Sequence, residues 1–143
     1  MSTQTIAEEL GAHPGLQGVD SSGIEELAAR VKVREHAVAE TIIRAGDDPD
    51  EIYFLLTGAV QVQVPGSHIA SLEAGAIFGE ASLFEGDHFL PPGWRIHKRT
   101  ATVVAASPVR LAAVHVDDLS LLLRKYPAVR KAISDLGAAR LKG

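Results

Sequence analysis

Hydrophobic positions change period twice along the chain. Ile24, Leu27, Ala28 and Val31 recur at i, i+3, i+4 and i+7, which predicts a short amphipathic helix over about residues 22–30. Ser22 and Glu25 ahead of it have capping-box spacing, so Ser22 is its expected N-cap. A weaker helical stretch, about 3–10, precedes it and is closed by Gly11, Pro14, Gly15 and Gly18. From Val33 to Val116 the period falls to two. In Val60-Gln61-Val62-Gln63-Val64 the valines point one way and the glutamines the other, as in a sheet with one wet face. Turn residues punctuate these runs at Gly46-Asp47-Asp48-Pro49-Asp50, Gly58, Pro65-Gly66-Ser67, Glu73-Ala74-Gly75 and Ser107-Pro108. Many short strands with no helices between them predict an antiparallel sandwich, barrel or jelly roll rather than a parallel βαβ sheet. Helical spacing returns at Leu119, Leu122 and Leu123 behind Asp117 or Asp118 as cap, over about 117–125. A last helix is expected over about 128–141, with Pro127 in its first turn.

Composition narrows this plan. The 143 residues, 46% hydrophobic and 22% charged, suit one domain over 1–143 with its β roll at about 32–116. No apolar run approaches the length of a spanning helix, and Glu8 and Glu9 near the start do not fit a signal peptide; the expectation is a cytoplasmic chain without a membrane segment. Without cysteine, disulfides, iron–sulfur clusters, thiolate zinc sites and cysteine catalysis are excluded. The net charge of −4 gives no reason to expect nucleic acid as main partner. Charge is uneven, however: Arg124, Lys125, Arg130, Lys131, Arg140 and Lys142 face only Asp135 in the closing stretch. These cations suit helix C-termini, or an acidic partner surface.

One segment does not read as packing. In Ile77-Phe78-Gly79-Glu80-Ala81-Ser82-Leu83-Phe84, Gly79 permits close ligand approach, and Glu80 to Phe84 is good material for one helical turn. Free N–H groups at such a turn favour an anion, such as a phosphate. Glu80 would repel that phosphate unless it faces another part of the ligand, such as a sugar hydroxyl. Further on, Arg99 opens the small and β-branched run Thr100-Ala101-Thr102-Val103-Val104-Ala105, where a guanidinium can pair with two phosphate oxygens.

Together, Ala45-Gly46-Asp47 before Ile52 to Val62, then Leu72 to Leu83, then Arg99 to Ala105, resemble the cyclic nucleotide-binding domain family typified by catabolite activator protein and the regulatory subunit of cyclic-AMP-dependent protein kinase. The resemblance spans about residues 24–135. It implies a mainly β fold with flanking helices, a jelly-roll β roll of the cupin-like double-stranded β-helix type, holding cAMP or cGMP. Glu80 would accept the ribose 2′-OH, with Gly79 offering its amide. Arg99 would pair with the cyclic phosphate, helped by the amides of Ala81 and Ser82 and by Thr100. A hydroxyl at Thr100 resembles members that accept guanine, although cAMP is the commoner ligand of the family.

The chain departs from that pattern in two places. Nineteen positions separate Glu80 from Arg99, more than the family's usual cassette, and the extra stretch Asp87 to Lys98 holds Trp94 and Pro91-Pro92. A loop of this kind is cheap in closure entropy, and the Thr-Ala-Thr-Val register favours Arg99 over Arg95 as the phosphate partner. Trp94 is suited to stacking on a purine, docking a partner or pinning its loop to the roll. The sequence reaches Gly143 without a helix-turn-helix, so no DNA-binding domain is expected; Leu136 and Leu141 are the candidates for a lid over the base.

No catalytic residue, metal or further cofactor is expected. His13, His36, His68, His88, His97 and His115 are scattered without a His-x-His pair, and Ser82 lacks a nucleophile elbow. The remaining expectation is a receptor that signals through a protein partner, or self-associates, by its C-terminal helices. The alternative is a ligand-free relative of the same fold serving as a protein-interaction module.

Overall fold

The computed structural model describes residues 5–46, 50–63, 69–78, 84–85, 88–89, 101–131 and 133. In chain order they form α1 (Ile6–Ala12), a 3-10 turn (Pro14–Leu16), α2 (Ser21–Ala28), β1 (Lys32–His36), β2 (Thr41–Ile43), β3 (Glu51–Thr57), β4 (Ala59–Gln63), β5 (Ile69–Glu73), β6 (Ile77–Phe78), β7 (Phe84–Glu85), β8 (His88–Phe89), β9 (Thr102–Ala105), β10 (Val109–His115) and α3 (Val116–Leu123). Residues 127–131 and 133 are helical as well. All pairings are antiparallel. One sheet has the order β1-β10-β3-β6, the other β2-β9-β4-β5, and β7 with β8 forms a small hairpin.

The central strands of the first sheet, β3 and β10, are buried on both faces because they are apolar at nearly every position, whereas β1 at its edge is largely exposed. Ile52, Phe54, Ala112 and Val114 pack on the helices through Leu10, Leu27, Leu119 and Leu123. Tyr53, Leu55, Leu111 and Ala113 pack on the second sheet through Ile43, Val60, Val103 and Ala105. Each fully buried Leu, Ile or Phe contributes on the order of 1.5–3 kcal/mol. The second sheet keeps the valine–glutamine alternation: Val60 and Val62 turn inward, while Gln61 lies opposite Val104 and Gln63 opposite Thr102 on the other face. Val64 is outside the described residues.

Three local expectations change. The cap of α2 is Asp20, not Ser22: its Oδ1 accepts from the Gly23 amide at 2.9 Å and from the Tyr126 hydroxyl at 2.9 Å. A carboxylate already fixed by a tertiary hydrogen bond outcompetes the serine that follows. α3 is capped by His115, whose Nδ1 accepts from the Asp117 amide at 3.1 Å, because the chain turns into the helix directly from β10. Asp117 and Asp118 therefore fall in the first turn, where carboxylates suit the dipole. Phe84, expected to end a helical turn, lies instead in β7 opposite Phe89.

His13 clamps the N-terminal helices to the roll. It is 4% exposed. Nδ1 accepts from the Gly15 amide at 3.0 Å, which leaves Nε2–H to donate to the Ala76 carbonyl at 3.2 Å. The ring edge also meets Phe54, with centroids 5.3 Å apart. Burial pushes its pKa below 6.5, only partly opposed by the Ala76 carbonyl. The unfolded ring thus takes up a proton before the folded one, so this contribution to stability is complete above about pH 6.5 and declines as pH falls below it. Between pH 7.5 and 5.5 the wild-type melting temperature should fall with a slope that His13→Asn lacks. Parallel slopes would remove this role.

The β1–β2 connection carries the one left-handed non-glycine residue among those described, Ala39, at φ +73°. Its amide donates to the Ala105 carbonyl at 2.8 Å, and the Ala105 amide donates to the Glu40 carbonyl at 2.9 Å, so the roll holds it there. A Cβ in that region costs about 1 kcal/mol. Ala39→Gly should therefore raise stability in urea denaturation by about 0.5 kcal/mol after the greater unfolded-state entropy of glycine is subtracted.

Candidate functional site

The two connections into the expected anion-binding stretch leave the same end of the roll. β6 runs antiparallel to β3 with Phe78 opposite Tyr53, so the chain exits the first sheet toward the Glu51 end. β9 runs antiparallel to β4 with Thr102 opposite Gln63, so the chain enters the second sheet at the end farthest from Gly58. Because β3 and β4 are joined across Gly58, the Glu51 and Gln63 ends coincide. Phe78 and Val103 then meet in one buried cluster between the sheets. The other end is closed by short turns, where Gly58 at φ +89° has no room for a Cβ against the Pro108 carbonyl.

Gly79, Glu80, Ala81, Ser82, Trp94, Arg99, Thr100, Leu136 and Leu141 lie outside the described residues. What is described is the frame on which the stretch is hung. On the second sheet, the Thr102 hydroxyl accepts from the Ala45 amide at 3.0 Å, tying the start of β9 to the end of β2. On the first sheet, Phe78 is 1% exposed and stacks on Tyr53 with centroids 4.9 Å apart and planes 19° apart.

Behind this stack lies a polar chain that the sequence reading missed. The Tyr53 hydroxyl donates to Glu51 Oε1 at 3.2 Å. Arg34 takes both oxygens of Glu51, Nη1 to Oε1 at 2.6 Å and Nη2 to Oε2 at 2.9 Å. Burial works to raise the Glu51 pKa, but the Arg34 fork, the Tyr53 hydroxyl and the Lys32 charge outweigh it and hold the carboxyl below its usual range. Arg34 is correspondingly raised, chiefly by its hydrogen bonds to Glu51. Only the strand order β1-β10-β3 reveals the partner of Arg34.

A cleft of about 450 Å³, lined by Glu35, His36, Thr57, Pro108, Val109 and Arg110 among others, opens at the opposite, short-turn end. It is therefore remote from both connections. Among the described residues, no group of three His, Asp or Glu side chains is arranged to hold a metal. No helix among them is long and apolar enough to cross a membrane.

Comparison with known proteins agrees with this frame. Residues 33–126 match the family described as the cyclic nucleotide-binding domain. The chain is 29% identical over 134 residues to a cyclic nucleotide-gated potassium channel of Rhizobium etli, a match covering 94% of this chain and 35% of the channel. The chain thus spans about a third of that relative's length. Among solved structures, a cAMP-binding acyltransferase from Mycobacterium smegmatis superposes with a TM-score of 0.67 at 27% identity, over 89% of this chain and 38% of the other. The regulatory subunit of a cAMP-independent protein kinase A from Trypanosoma brucei shares the fold, with a TM-score of 0.75 at 24% identity over 92% of this chain and 46% of that one. With its antiparallel β roll flanked by helices and a sequence match over the greater part of its length, this chain belongs to the cyclic nucleotide-binding domain family.

Proposed function

We propose that the chain is a non-catalytic receptor for a purine 3′,5′-cyclic monophosphate, cAMP or cGMP, and passes the signal to a separate protein. The observation that carries this reading is the placement of the two connections: the stretch from Gly79 to Ala101 begins on one sheet and ends on the facing one, at one end of the roll. A carboxylate just after the first connection and a guanidinium just before the second can then converge on a single ligand. In this reading Glu80 and the Gly79 amide hold the ribose 2′-OH, while Arg99 and the amides of Ala81 and Ser82 hold the cyclic phosphate. Keeping both charges without such a ligand would cost several kcal/mol if they were buried and unpaired. The Thr100 hydroxyl adds at most about tenfold toward guanine. Trp94, Leu136 and Leu141 are the candidates for contact with the base.

Calorimetry and thermal shift with cAMP, cGMP and cyclic dinucleotides test this on the wild type, Glu80→Ala and Arg99→Ala. Ligand at about 100 times its Kd should add about 2.7 kcal/mol of stability. Arg99→Ala should lose most of that gain and Glu80→Ala a large part. An unmoved melt with every nucleotide would sink the reading and leave the interaction module in its place.

The output surface in this reading is the C-terminal helical region with its cations Arg124, Lys125, Arg130 and Lys131. It is seated on the N-terminal helices at two glycines: a Cβ at Gly18 would meet Val129, and one at Gly23 would meet the Tyr126 hydroxyl. A seat this close gives the region a defined docked position from which a ligand can release it. Reversing the four charges to glutamate should abolish capture of an acidic partner or self-association, read by pull-down and by sedimentation with and without cAMP. Association indifferent to both the charges and the nucleotide would rule this surface out.

A further inference from the structure

The strand β6 is two residues long, pairing Ile77 with Phe54 and Phe78 with Tyr53; the further backbone bonds to β3, from the Leu55 amide to the Ala76 carbonyl and from the Gly75 amide to the Leu55 carbonyl, lie upstream of it, and among the described residues the ladder ends at Phe78. So short a ladder at the edge of a sheet fixes the direction of the departing chain poorly. The side chain of Phe78 supplies further anchorage by stacking on Tyr53. Tyr53 in turn is oriented at its far end by the hydrogen bond to Glu51, and Glu51 by the Arg34 fork. Arg34 stands opposite Leu111 and Glu51 opposite His115, so the guanidinium crosses β10 beside Ala113, whose small side chain leaves the path open. An arginine and a glutamate two strands apart are thereby joined on the inner face of the sheet, next to the connection into Gly79.

We infer that Arg34, Glu51 and Tyr53 are positioning residues for the nucleotide site: they orient the Phe78 ring, and through it the backbone entering Gly79, without touching the ligand. The inference rests on the receptor reading above. It makes a distinctive claim about charge. Were the effect of Glu51 on an anionic ligand only electrostatic, replacing its carboxylate with an amide would leave Arg34 less neutralised and tighten binding. A positioning role requires the opposite, because the amide cannot serve both Arg34 nitrogens and breaks the chain at its centre.

The test measures cAMP and cGMP affinity by calorimetry for the wild type, Tyr53→Phe, Glu51→Gln and the double variant, with Ile43→Val as a core variant of the same buried cluster. Tyr53→Phe keeps the ring and removes only the hydroxyl; it should weaken binding about 3- to 10-fold, the equivalent of one hydrogen bond. Glu51→Gln should weaken it at least as much. The double variant should be no worse than Glu51→Gln alone, since the hydroxyl acts through the carboxylate. Ile43→Val should lower the melting temperature and leave affinity unchanged. Exchanging the pair, Arg34→Glu with Glu51→Arg, should recover part of the affinity lost in Glu51→Gln. Wild-type affinity in Tyr53→Phe, tighter binding in Glu51→Gln, or additive losses in the double variant would each overturn the inference while the receptor reading stands. A wild type that binds none of the nucleotides removes both together.

Discussion

The strand pair β3–β10 is buried on both faces, and the rest of the molecule is arranged by that constraint. Successive residues alternate between two cores: Ile52 and Phe54 go to the helices, Tyr53 and Leu55 to the second sheet. A slip of one residue would exchange the two sets, so register is strongly specified. The alternation also limits where charge can sit. Within β3 the polar residues are its first, Glu51, and its last, Thr57. Glu51 is partly buried, and the cost of that burial is offset because both its oxygens are taken by Arg34.

The two ends of the roll differ for the same reason. At the Thr57 end the chain turns tightly at Gly58, at Ser107-Pro108 and through the left-handed Ala39, and these turns are cross-tied by backbone hydrogen bonds to Ala105 and Ala59. At the Glu51 end the Val116 amide donates to the Asp50 carbonyl and the Ala45 amide to the Thr102 hydroxyl, and the connection from Phe78 to Ala101 leaves one sheet and reaches the other. The turns at the Thr57 end also cross between the sheets, joining β1 to β2, β3 to β4 and β9 to β10, so the two ends differ in the length of their connections rather than in the layers they link.

Period and punctuation made the architecture legible in the sequence. The helix-then-strand-then-helix order, the inward valines of β4 and the turns at Gly46, Gly58 and Gly75 follow from local rules, because each glycine occupies a positive φ that other residues avoid. Caps were less legible. Ser22 has the right spacing for α2, but Asp20 is chosen by Tyr126, a residue over a hundred positions away. Asp117 and Asp118 have the right chemistry for α3, but the geometry of a strand running straight into a helix hands the cap to His115. The Arg34–Glu51 pair is a product of strand order, which period-two alternation does not encode. Gly79, Glu80 and Arg99 stand out by their own chemistry and the resemblance assigns them to one ligand; what the structure adds is the frame at either side of them.

That frame is continuous with the helices. His13 donates to the Ala76 carbonyl, which also accepts the Leu55 amide, just before β6 begins. Gly15 lies against Ile77 so closely that a Cβ would collide with it. A few residues later in the same N-terminal layer, Gly18 and Gly23 receive Val129 and Tyr126, and Asp20 holds the Tyr126 hydroxyl. The carboxyl of Asp20 is kept below its usual range by the Gly23 amide first and the tyrosine second. One layer thus touches both the strand that leads into Gly79 and the segment that carries the cations Arg124, Lys125, Arg130 and Lys131. Contact alone transmits nothing: a ligand shifts this layer only if it binds one arrangement of β6 more tightly than another. The glycines at 15, 18 and 23 let the side chains of Ile77, Val129 and Tyr126 lie directly against the backbone of this layer, which is the route by which such a preference could pass between them.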